Sequence, residues 1–144
     1  MTEYKYVDGE KIDPNEIESQ ELTEEQRIYK ENILDHYRNP RNKKKIEGAC
    51  YAHDKNPFCG DEIDAYVVVD GEKVVDVGFQ GNGCAISQAS MSMITRKCKG
   101  KTRDEINALG QDFVLELLGI PIGVVRRKCA MLGLRVIQQA LEEK

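Results

Sequence analysis

"EIDAYVVVDGEKVVDVGFQGNGC", residues 62–84, decides the fold. Ile63, Ala65, Val67 and Val69 alternate with other residues, which predicts a strand with one apolar face. "DGEK" is a turn signal, and "VVDVGF" returns with Val75, Val77 and Phe79 assigned to one face, completing an antiparallel hairpin. "QGNGC" then breaks the second strand. The spacing beyond it predicts a helix from Cys84 to Lys99, with Gly100 as its stop.

Upstream, Thr23 and Gln26 have capping-box spacing, and Glu24 and Glu25 suit the positive end of a helix dipole. Ile33, Leu34 and Tyr37 supply that helix with an apolar face. Pro40 ends it, because the residue before a proline disfavours helical backbone. "RNPRNKKK" follows as a basic turn, and a further strand is expected near "GACYAH". Downstream, Thr102 and Glu105 form another capping box, and "QDFVLELLG" predicts one or two more helical turns. A last helix is expected from Cys129 onward, with Cys129, Leu132, Val136, Ile137 and Ala140 along one stripe. The pattern predicts an α+β domain, a small antiparallel β-sheet with helices packed on one face. Residues 1–22 are polar and acidic and are expected to form a flexible N-terminal tail, leaving 23–144 as the folded domain.

The chain has 144 residues, enough for one compact domain and too few for two. No apolar run approaches the roughly 18 residues of a membrane helix, so no membrane association is expected. The net charge of −4 argues against nucleic acid as the main partner. The N-terminal "MTEYKYVDGEKIDPNE" has no apolar stretch after a basic start. Five cysteines, an odd number, then set the expectation of a reducing cytoplasm with free or metal-bound thiols.

Three of those cysteines fall at transitions between predicted elements: Cys59 before the hairpin, Cys84 at a helix N-terminus, Cys129 at the start of the last helix. A helix N-terminus favours the thiolate at Cys84, and Arg126, Arg127 and Lys128 favour it at Cys129. Gly60 allows a sharp turn, so that Cys59 and Asp61 can face one ion. Gly81 and Gly83 are read as leaving room for a bulky guest. Cys98 lies 14 residues beyond Cys84 on the same predicted helix, about 21 Å away, too far to share a centre, and is assigned a structural role. Cys50 in a strand, His36 near a helix end and His53 in a loop before the site are weaker candidates. No CxxC pair is present, so spacing alone leaves structural and metal-binding roles open.

"ILDHYRNPRN", "NPFCGDEID", "GNGCAISQASMSMITRKCKGK" and "RRKCAMLGL" together resemble the U-type iron–sulfur assembly scaffolds, the IscU/SufU/NifU N-terminal family. The resemblance spans about residues 25–144. It implies a non-enzymatic scaffold that takes sulfur as persulfide from a cysteine desulfurase, assembles a [2Fe–2S] cluster and passes it to apo-proteins. It carries the ligand set onto Cys59, Asp61, Cys84 and Cys129, with Cys129 as the persulfide acceptor and Lys128 in support. A zinc ion at the same residues is the alternative occupant, with persulfide sulfurtransfer as the alternative activity. An aspartate is a weaker match than a fourth thiolate for a soft cluster, which suits a protein that must release what it builds.

Two features depart from single branches of that family. Lys128 stands where the Isc-type branch has histidine, as in the Suf-type branch. The 45-residue interval from Cys84 to Cys129 has the shorter Isc-like length. "GIPIGVV" replaces the LPPVK-like chaperone-recognition stretch of the Isc-type branch, which speaks against an Hsp70-type partner. Self-association to a homo-oligomer stays open at this level.

Overall fold

The computed structural model describes residues 23–57 and 60–142 in full, together with the backbone of residues 5–7 and 10–12. Helix α1 (Glu24–Arg38) starts at the expected capping box. The Thr23 hydroxyl accepts from the Gln26 N–H at 3.0 Å, and the Gln26 side chain accepts from the Thr23 N–H at 3.1 Å. Two short N-terminal strands, β1 (Lys5–Val7) and β2 (Glu10–Ile12), pair antiparallel within the stretch read from sequence as a tail. The main sheet has the order β3-β4-β5, all antiparallel: β3 (Cys50–Asn56), β4 (Asp61–Asp70) and β5 (Lys73–Asn82). Four further helices follow: α2 (Ala85–Cys98), α3 (Arg103–Asn107), α4 (Gln111–Leu118) and α5 (Val124–Glu142).

Parity along β4 sets the two faces of the sheet. Ile63, Ala65 and Val67 are fully buried, and with Val77 and Phe79 of β5 they belong to the core. Helix α5 packs against β3 and β4, while α2 packs on β5, α5 and α1. Burying side chains of this size contributes about 1.5–3 kcal/mol each, so the sheet–α2–α5 interface dominates the packing. Val75 does not join it, although simple alternation placed it there: it is 48% exposed. The register slips between Val68 and Val69, so that Val68 opposes Asp76 and Val69 opposes Val74. Val75 is the extra residue, and this bulge moves the buried position to Val74.

Helix α5 begins five residues earlier than its apolar stripe indicated, at Val124 rather than Cys129. The first turn carries no inward stripe, because Val124 and Val125 are exposed at 73% and 65% and a cationic run follows them. The Arg127 N–H donates to the Gly123 carbonyl at 3.0 Å as the helix opens. Cys129 therefore sits in the second turn, fully buried.

Gly133 lies one turn beyond Cys129, where α5 packs tightly on Met91 of α2. A Cβ built there would stand 2.5 Å from Met91 Sδ and 3.3 Å from Met91 Cα. Met91 is itself fully buried, so there is no open space for it to yield into. Gly133→Val is expected to destabilise the fold by about 1–3 kcal/mol through overpacking, despite removing a helical glycine. Urea melts of the metal-free protein check this; an unchanged midpoint would show that the α2–α5 seam is looser than described.

Candidate metal centre

The site forms where the start of β4, the N-terminus of α2 and the second turn of α5 meet. Asp61 is the first residue of β4, on the buried face, and only 2% exposed. The chain reaches it through Gly60 at φ +76°, a left-handed conformation that glycine adopts without strain. The Gly60 N–H donates to the Asn56 carbonyl at 2.8 Å and closes the β3–β4 connection.

Cys84 is the N-cap of α2, and its sulfur accepts from the Ser87 N–H at 3.5 Å. The Cys84 N–H donates to Asp61 Oδ1 at 3.1 Å, and Asp61 Oδ2 stands 3.8 Å from Cys84 Sγ. From the other side, Asn56 Nδ2 donates to Cys129 Sγ at 3.7 Å. One ligand atom from each of Asp61, Cys84 and Cys129 lies within 4.8 Å of the others, and no other such group occurs among the described residues. Two thiolates and a carboxylate at this spacing are a donor set that fits a thiophilic metal.

The Cys84 thiol is lowered to about 6 from an ordinary value of 9.0. Donation from the Cys129 thiol is the largest cause; burial opposes it, the Ser87 N–H assists, the Asp61 charge opposes and Arg126 assists. Arg126 precedes Cys129 by three residues and so shares its helix face. Lys128 immediately precedes Cys129 and is exposed. The basic run was legible in the sequence, but the residue of that run felt at Cys84 follows from the helix phase.

The remaining sequence candidates among the described residues fall elsewhere. Cys59 lies outside the described residues, in the connection between Asn56 and Asp61. His53 is on β3 rather than in a loop, paired with Asp64 on the outer face, where its Nδ1 lies 2.7 Å from Asp64 Oδ1. Asp61 belongs to the opposite face, so β-strand parity separates them. His36 is buried, with Nδ1 at 2.7 Å from Ser92 Oγ, and burial lowers its pKa, followed by Arg41 and Arg96. Cys98 is fully buried, and desolvation pushes its thiol up to about 12, as suits a packed side chain. Cys50 is half-buried at the start of β3. Asn56 and Ser87 were not singled out from sequence. Ser87 was accessible as the third residue of a helix capped by Cys84; Asn56 is visible only once β3 pairs with β4.

The two glycines serve neighbours of the site instead of a guest. At Gly81 (φ +136°) a Cβ would stand 2.1 Å from the Glu62 carbonyl oxygen, so glycine permits the β4–β5 pairing. At Gly83 it would stand 2.3 Å from Ser87 Oγ and 2.9 Å from Asp61 Oδ1. The space beside Gly83 is where the Asp61 carboxylate sits.

An α+β domain with two cysteines and an aspartate converging at one end of its sheet defines a candidate thiolate–carboxylate metal-binding protein. The chain belongs to the NifU-like N-terminal domain family, whose model matches residues 28–143. It is 31% identical over 134 residues to a zinc-dependent sulfurtransferase SufU of Bacillus subtilis, covering 81% of this chain and 91% of that one. It is 37% identical over 117 residues to iron–sulfur cluster assembly scaffold protein IscU 1 of Archaeoglobus fulgidus, covering 79% and 74%. Among solved structures, a putative SUF-system scaffold from Fervidobacterium islandicum superposes with a TM-score of 0.68 at 32% identity, covering 81% of this chain and 98% of that one. The IscU/SufU/NifU resemblance and the α+β fold are thus both borne out.

Two outcomes are expected. In the metal-free protein, alkylation of Cys84 should rise with a midpoint near pH 6, because the thiolate forms above its folded pKa. Relative to an unfolded thiol at 9.0, this thiolate stabilises the fold fully above that pH, and the contribution is lost as pH falls through about 6. Cys129→Ala should move the midpoint upward, and peptide mass spectrometry reads it; a wild-type midpoint near 9 would exclude the arrangement. Separately, Gly83→Ala should displace the Asp61 carboxylate and weaken metal binding about 10–100-fold while the fold persists, as measured by competition with a chromogenic chelator.

Proposed function

We propose that this protein is a scaffold on which an iron–sulfur cluster, of the [2Fe–2S] type, is assembled from desulfurase-derived sulfur and then passed to apo-proteins. The observation that carries this reading is a buried carboxylate, Asp61, set against two cysteine sulfurs. A closed structural zinc site ordinarily uses only cysteine and histidine. An oxygen ligand holds soft iron–sulfide less firmly than a thiolate, so the site can let go of its cargo. The names of the A. fulgidus and F. islandicum relatives support the same assignment.

The residues divide the work. Cys84, with its lowered pKa, presents a thiolate at neutral pH. Asp61 Oδ1 is held by the Cys84 N–H, and Oδ2 is the oxygen offered to the cargo. Cys59, in the connection to Asp61, supplies the fourth ligand. Arg126 offsets the negative charge of four anionic ligands, with Lys128 beside it. Cys129 accepts sulfur: its sulfur attacks the outer sulfur of the desulfurase persulfide, a new S–S bond forms as the persulfide S–S bond breaks, and the desulfurase cysteine leaves carrying the proton that Cys129 gives up. Because Cys129 is fully buried, this step requires the covering elements to part. The protein works in the cytoplasm. Residues 1–22 are dispensable for loading.

Zinc-dependent persulfide transfer is the second reading, favoured by the B. subtilis relative's name and by the compactness of the site. Thiolates bound at about 2.3 Å to one tetrahedral ion stand about 3.8 Å apart, which matches a trio within 4.8 Å. Zinc would be held by Cys59, Asp61, Cys84 and Cys129 and would keep the thiols deprotonated at neutral pH.

Anaerobic reconstitution with ferrous iron, L-cysteine and a desulfurase decides between them. The scaffold reading expects a red-brown protein with matched iron and acid-labile sulfide. Loading should be lost in Cys84→Ser and retained in a chain starting at Thr23. In Asp61→Ala the cluster should live longer in air and pass more slowly to apo-ferredoxin. A colourless protein that keeps zinc and relays persulfide would replace this reading with the second.

A further inference from the structure

The two segments "RNPRNKKK" (38–45) and "RKCKGKTR" (96–103) hold ten of the chain's 21 lysines and arginines and no aspartate or glutamate. They lie together in the fold. Asn42 Nδ2 donates to Thr95 Oγ1 at 3.0 Å, and Lys99 Nζ donates to Asn42 Oδ1 at 2.7 Å. Acidic neighbours neutralise only part of this charge. Arg41 pairs with Asp35 at 2.7 Å, and Lys44 and Lys99 each pair with Asp76 at 3.2 Å. Arg38, Lys43, Lys45, Arg96 and Lys97 are exposed and form no ion pair with a described residue. In a chain of net charge −4 this is a segregated field of one sign.

A cavity of about 240 Å³ opens at this surface, lined by Asn32, His36, Met93, Arg96, Lys97 and Leu117 of α1, α2 and α4. Met93 and Leu117 give it apolar lining, and the exposed Arg96 and Lys97 give it a cationic rim. We propose that the cavity and its rim form a docking site for a short acidic and hydrophobic segment of a partner protein. One apolar side chain enters between Met93 and Leu117, and flanking carboxylates meet Arg96 and Lys97. A phosphate backbone offers no apolar group to fill the cavity, and the chain's overall charge opposes a polyanion as large as nucleic acid. A flat lipid surface does not enter a concave site.

The position gives this surface its use. Arg96 and Lys97 lie in the last turn of α2, whereas Cys84 caps its first, about 18 Å away at 1.5 Å per residue. A partner held here does not cover the end of the domain where Asp61, Cys84 and Cys129 meet, and leaves that end free for a second protein.

Fluorescence anisotropy with the full-length protein tests this. The probe is a labelled peptide of about 12 residues alternating leucine with paired glutamates, and its control replaces each leucine by serine. Duplex DNA and anionic phosphatidylserine vesicles are the competing ligands. The leucine peptide should bind, with the serine control about tenfold weaker. Arg96→Glu/Lys97→Glu should weaken binding at least about tenfold and Arg96→Gln/Lys97→Gln by less, with thermal melting and metal content unchanged. Equal affinity for the serine control, undiminished binding by the charge-reversed variant, or tighter binding of duplex or vesicles would overturn the proposal.

Discussion

The hydrogen bond from the Cys84 N–H to Asp61 Oδ1 joins the first residue of β4 to the cap of α2. It is made by a backbone donor that any helix N-terminus leaves unsatisfied and by a carboxylate that is almost fully buried and so needs polar partners. Each group removes the other's cost. Gly83 supplies the space that lets them meet, and Gly60 turns the chain into β4 at the right residue. Cys84 then points its sulfur at both Asp61 and Cys129, while α5, seated across β3 and β4, brings Cys129 within reach. The geometry of the candidate site is in this sense a by-product of how one strand and one helix satisfy their ends.

The same economy explains the opposing tendencies at Cys84. Burial and the Asp61 charge both resist ionisation there, and a thiolate wins only because the Cys129 thiol and the Ser87 N–H donate and Arg126 adds positive charge. The balance depends on three separate elements being in place. A locally correct α2 without α5 would lose the largest favourable contribution. The candidate centre is therefore a property of the assembled tertiary structure, even though its residues stand in short, recognisable motifs.

What could be foreseen from the residues divides along the same line. The capping boxes at Thr23 and Thr102 and the cap at Cys84 are local, and they were legible because each rests on residues within one turn. The inward set of β4 was legible from alternation. Val75 was not, since a register slip depends on how two strands pair. The true start of α5 was hidden because its first turn faces solvent and carries no apolar stripe. The basic run Arg126–Lys128 was legible as a whole, while the helix phase shows that Arg126, three residues before Cys129, shares its face. His53 looked close in sequence to Asp61 but lies across the sheet from it. Cys59 rests on its motif alone, outside the described residues.

Asp61, Cys84 and Cys129 come from a strand and two helices that also meet through side-chain packing and through hydrogen bonds such as Ser90 Oγ to the Ala130 carbonyl. An ion or cluster held by all three would act as a bolt through that junction, and its binding free energy would add to the cohesion of the whole domain. Without such a group the same corner is held by packing and by hydrogen bonds, among them Cys84 N–H to Asp61 Oδ1 and Asn56 Nδ2 to Cys129 Sγ. Loaded and unloaded forms would then differ in stiffness at this corner. A partner that senses whether this corner yields could tell a loaded molecule from a vacant one without touching the cargo.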